Sequence, residues 1–129
     1  MLDKLMNEMI TKLEQTNLFK QIEPYEGQFD NPDEFLIRPP VCFIEFSAGQ
    51  TDKALHIKSL VNVDFYITTN HIKGRVNSAM LDILDTIKEQ FNKKRIANMG
   101  ETRFIAFDRL AIFPGFCSYR VSLEFKEDF

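Results

Sequence analysis

The run 56-HIKSLVNVDFYITT-69 alternates apolar and polar residues along most of its length. Ile57, Val61, Val63, Phe65 and Ile67 share one side of an extended chain. His56, Lys58, Asn62, Asp64, Tyr66 and Thr68 share the other, with Leu60 the exception. Successive side chains of a strand point to opposite faces, so this pattern calls for a sheet with one apolar face that another layer must cover. The closing run 117-CSYRVSLEFKE-127 has the same pattern, with Cys117, Tyr119, Val121, Leu123 and Phe125 inward and Ser118, Arg120, Ser122, Glu124 and Lys126 outward. Two strands with one polar face each predict an antiparallel or mixed sheet rather than a buried parallel one.

The remaining segments supply the other strands and the covering layer. In 41-VCFIEFS-47, Val41 and Phe43 point one way and Cys42, Ile44 and Phe46 the other, so this strand is apolar on both faces. Such a strand is central or covered twice. Pro39 and Pro40 cannot donate ladder hydrogen bonds and set its start. The piece 48-AGQTDKAL-55 reads as a polar connection. A further strand spans about 103–113, and Pro114-Gly115 in 113-FPGF-116 favours a type II turn into the last strand. Leu2, Leu5, Met6, Met9, Ile10 and Leu13 follow helical spacing, as do Val76, Met80, Ile83, Leu84, Ile87 and Phe91. Asn17 with Leu18 and Phe19 closes the first helix; 93-KKR-95 and Gly100 follow the second. The order is α-β-β-α-β-β. It predicts a single α+β domain over 1–129, a two-layer sandwich with both helices on the apolar face of a mainly antiparallel sheet.

The residues that would carry chemistry are few. His56 and His71 are the only histidines and Cys42 and Cys117 the only cysteines, in unrelated contexts without metal-ligand spacing. Both cysteines fall in strands and read as buried free thiols. A Cys42–His56 nucleophile pair, as in a small hydrolase, is the catalytic alternative, but no third orienting group accompanies it. The glycines are isolated one per loop, so there is no phosphate-cradling loop. A net charge of −3 counts against binding nucleic acid through its phosphates. The expected protein is no enzyme, carries no cofactor or metal, does not enter a membrane, and is made in the cytoplasm.

One segment resists this bland reading. Residues 23–40, EPYEGQFDNPDEFLIRPP, form an irregular arm in which acids and prolines surround Tyr25, Phe29, Phe35, Leu36 and Ile37. Structureless connections of this length are uncommon in compact domains and tend to be functional or disordered. Thirteen Phe and no Trp make the same point for the whole chain, since a Phe ring has no polar handle and needs cover. The arm either folds over its own sheet edge or reaches a neighbouring subunit.

An amphipathic helix, an irregular arm, PPVCFIEF, the alternating LVNVDFYI, a helix ending LDILDTIKEQF and two closing strands together resemble phage tail-terminator and tail-completion proteins. The likeness is to the small tail proteins of Mu-like prophages and covers nearly the whole chain. It implies a virion tail protein made in the bacterial host, forming a ring, usually of six subunits, that caps the finished tail tube, stops its polymerisation and meets the neck. Its partners would be copies of itself, tube proteins and neck proteins, with DNA passing through unbound. The implied ring contacts are the open sheet edges and, in the arm, Phe29, Phe35, Leu36 and Ile37; Lys58, Asp64, Arg120, Glu124 and Lys126 lie on the polar sheet face, which reads as solvated. The reading from another class is a stand-alone ligand-binding or regulatory domain, with a Phe-lined pocket between helix and sheet.

Overall fold

The computed structural model describes residues 2–29, 37–52, 58–70, 77–94, 102–110 and 115–128. Its elements are helix α1 (Leu2–Gln15), strands β1 (Gln21–Pro24), β2 (Val41–Asp52) and β3 (Lys58–Asn70), helix α2 (Ser78–Phe91), and strands β4 (Thr102–Arg109) and β5 (Phe116–Asp128). The class is α+β, with one sheet ordered β1-β2-β3-β5-β4. Every pairing is antiparallel except β1 with β2.

The alternation in β3 and β5 places their apolar residues as expected. Val61, Val63, Phe65 and Ile67 of β3 join Cys117, Val121, Leu123 and Phe125 of β5 in one core, with Cys42 and Ile44 of β2. Both helices cover this face, through Leu5, Met9 and Leu13 of α1 and Met80, Ile83, Leu84, Ile87 and Phe91 of α2. Each such side chain, once buried, stabilises by roughly 1.5–3 kcal/mol, which keeps a helix as terminal as α1 docked. Phe65 and Phe91 meet edge to face at 5.2 Å and tie β3 to α2.

Local chemistry sets the helix ends. After α1, Thr16 and Asn17 donate to the carbonyls of Leu13 and Glu14, and Asn17 takes φ 57°, a conformation Asn tolerates. Asn77 precedes α2, accepting from the Met80 N–H at 3.0 Å and donating to Thr69 Oγ1 at 2.8 Å. One side chain thus caps the helix and fastens its start to the end of β3.

Four boundaries or elements differ from the sequence reading. β1 was not foreseen; four residues with Glu23 and Pro24 carry no alternation, and only pairing with β2 makes them a strand. β2 runs on to Asp52, so 48–52 is strand rather than connection, because its partners Lys58–Asn62 on β3 continue the ladder past an irregularity at Phe46/Ala48. β4 ends at Arg109 rather than near 113. α2 starts at Ser78, where Asn77 caps it, rather than at Val76. Gly115 has φ 83°, as the expected Pro-Gly turn requires of its second central residue.

Candidate interaction surfaces

The sheet face away from the helices is partly covered by the first half of the arm. β1 runs beside β2, and the Tyr25 N–H continues that pairing by donating to the Ile44 carbonyl at 2.8 Å. The chain then turns at Gly27, φ 83°. Gln28 holds the turn, accepting from the Glu26 N–H at 2.6 Å and donating to the Pro24 carbonyl at 3.1 Å. The turn lays two rings on the sheet. Phe29 meets Phe43 edge to face at 5.5 Å, and Tyr25 stacks on Tyr66 at 4.5 Å. Val41 and Phe43, the second apolar side of β2, are fully buried. The strand expected to be covered twice is covered twice.

This face is less wet than alternation alone implied, which corrects the solvated reading of it. Asp64 is only 7% exposed, and its Oδ1 accepts from the Ser122 hydroxyl at 2.9 Å. Thr68 and Ser118, both buried, share a hydrogen bond of 2.8 Å. Tyr66 donates to Glu45 Oε2 at 2.9 Å; burial first, then that hydrogen bond, pushes its pKa up to about 12. Polar side chains on adjacent strands satisfy one another here, so they can sit under cover without water.

Of the other residues singled out on this face, Arg120 is half-exposed and makes a bidentate pair with Asp108, at 3.1 and 3.0 Å. That hydrogen bond is the main reason its pKa is raised further. Glu124 is partly buried, in register with Asn62 and Arg103. Lys58 lies in register between Asp52 and Asp128, and Lys126 opposite Leu60. Of the arm residues, Phe29 packs on its own domain, and Ile37 is partly buried just before Arg38, whose N–H donates to Gln21 Oε1 at 2.8 Å. Phe35 and Leu36 lie outside the described residues, as do His56 and His71.

Cys42 is buried within the core, and burial pushes its thiol pKa up, away from the reactive thiolate. Both cysteines are free. Among the described residues no three His, Cys, Asp or Glu side chains come together as a metal site would require, and no helix is long and apolar enough to cross a membrane. A cavity of about 250 Å³ opens between α1 and α2, lined by Lys12, Gln15, Thr16, Leu18, Thr86 and Gln90. Its lining is mostly polar and contains no Phe; the ligand reading had placed its pocket between helix and sheet.

The sequence reading expects open sheet edges but does not locate the one that stands out most. β4 is an outer strand, and past Phe104 no described strand pairs with its far side. At its start that side is occupied: Thr102 exchanges backbone hydrogen bonds with Lys93 and Lys94, and Asn92 Oδ1 takes the Phe104 N–H. An irregularity at Phe104/Ala106 follows. Leu110 then donates to the Ser118 carbonyl, so by alternation the backbone groups of Phe107 and Arg109 point off the sheet. Ile105 and Phe107 beside them are 50% and 54% exposed. An open strand edge flanked by exposed apolar side chains invites another chain. The only sequence signal was the run 103-RFIAFDR-109, which reads as an ordinary strand until its neighbours are known. No protein-family model matches this chain, and no curated protein matches it.

Proposed function

We propose that this chain is a structural protein of a phage or prophage tail, whose copies close into a ring that caps the tail tube, ends its polymerisation and joins it to the neck. The observation that carries the reading is the open β4 edge with Ile105 and Phe107 exposed beside it. A ring of identical subunits needs a heterologous contact, and an unpaired strand edge can supply one half of it. The element order and strand character that resemble tail-terminator proteins supply the tube and the neck as partners. The mechanism is geometric fit, with no bond made or broken.

Electron microscopy of the purified chain at rising concentration tests it. Closed rings of uniform diameter are expected, and added tail tubes of the host phage should stop elongating. Tubes that lengthen unaffected in its presence rule the reading out. The cavity between α1 and α2 favours the second reading, a small-ligand-binding or regulatory domain. A thermal-shift screen separates the two, since a specific melting shift with a small polar ligand supports the cavity as a site.

A further inference from the structure

Unpaired charge and exposed apolar side chains occur together on two surfaces. The first is the β4 edge, where Lys93, Lys94, Arg103 and Arg109 are exposed and Ile105 and Phe107 lie between the two arginines. Two carboxylates neighbour it. Asp108 is already held by Arg120, and Glu124, in register with Arg103, makes no ion pair with it. The second surface is the outer face of α2. Asp82, Asp85 and Glu89 are exposed and, at spacings of three and four, form one stripe along the helix. Leu81 beside them is 52% exposed. Lys88 is the only cation of α2, so this face stays acidic.

Neither surface is answered within one copy. Among the described residues no ion pair reaches the three carboxylates of α2 or the four cations of the edge. Asp85 and Glu89, four apart on a helix, repel each other, a strain that an approaching cation relieves. Leu81, Ile105 and Phe107 are the large apolar side chains left exposed among the described residues, and all three lie on these two surfaces. Two β4 edges meeting would set cations against cations, and two α2 faces would set acids against acids. Only unlike surfaces match, cations facing carboxylates and apolar side chains facing each other. A helix laid along an open strand is one of the ways proteins cover such an edge.

We infer that copies of this chain join head to tail, the basic β4 edge of one seated on the acidic outer face of α2 of the next. The inference deepens the ring reading, and rests on it for the closure of the chain of copies. A heterologous contact of this kind gives a ring when its rotation closes and a filament when it does not.

A charge-reversal exchange on the full-length chain tests it, read by sedimentation and light scattering. R103E/R109E makes both surfaces acidic; D85K/E89K makes both basic. All four side chains are exposed, so circular dichroism should match the wild type. Each variant alone should self-associate roughly tenfold more weakly than wild type. An equimolar mixture should recover the wild-type mass by alternating the two, which unfolded chains could not do. Leu81→Ser and Phe107→Ser, which leave charge untouched, should also weaken association. Assemblies that persist in R103E/R109E and in D85K/E89K overturn the placement while leaving the ring reading standing. Open chains in the microscope that depend on these residues, with no closed rings, keep the contact and remove the ring. A wild type that stays monomeric at every concentration, or gains mass only with duplex DNA, overturns the inference.

Discussion

Tyr66 sits where three interactions meet: the stacked ring of Tyr25, the Glu45 carboxylate 2.9 Å from its hydroxyl, and partial burial. Together burial and Glu45 raise its pKa from an ordinary value near 10 to about 12. The folded chain therefore holds this proton more tightly than the unfolded chain does. The stability so gained is fully present below pH 10 and is lost as pH climbs through 12. An absorbance titration at alkaline pH should show a tyrosinate phase near 12 that vanishes in Tyr66→Phe and moves down in Glu45→Gln. Survival of that phase in Tyr66→Phe would assign it elsewhere. Cys42 makes the opposite kind of statement, since a fully buried thiol is inert. A thiol reagent should modify it roughly a hundredfold more slowly in the native than in the urea-unfolded chain. Fast native labelling with loss of a turnover reaction would revive the hydrolase alternative.

Among the elements, α2 and the arm are held by a few identifiable groups. Asn77→Ala removes the cap of α2 and its link to Thr69, which should cost about 1 kcal/mol, seen as a lower urea midpoint with an unchanged slope. Phe29 belonged to the expected ring contact, yet its ring covers Phe43 of its own sheet. Phe29→Ala should therefore destabilise the isolated chain by roughly 1.5–3 kcal/mol. A variant as stable as wild type, but defective only in assembly, would return Phe29 to the subunit contact. β1 shows why the arm was only half legible. Its residues have no period of their own, and their strand exists because β2 offers a free parallel edge. The long polar-looking end of β2 is a strand for the same reason, since β3 extends opposite it.

At the scale of the whole molecule, net charge says little and its distribution says more. A chain of net −3 carries exposed Lys93, Lys94, Arg103 and Arg109 along its β4 edge. Ring contacts made by this basic edge should weaken as salt rises from 0.05 to about 0.5 M, because exposed charges are screened within a few ångströms there. Assembly that strengthens with salt instead would assign the contact to apolar burial around Phe107 alone.

The layers were readable from the chain. Alternation along most of β3 and all of β5 and helical spacing in α1 and α2 set which side chains face the core, because period alone decides which way a side chain points. The double cover of β2 was readable too, since Val41 and Phe43 set a second apolar pair on the face opposite Cys42 and Ile44. What lies next to what belongs to the tertiary structure. It brings Ser122 to Asp64, lays Phe29 on Phe43, and leaves β4 outermost with Phe107 exposed. Strand order depends on pairing between segments far apart in the chain, and no local pattern in 103-RFIAFDR-109 records whether a neighbour will come to cover it.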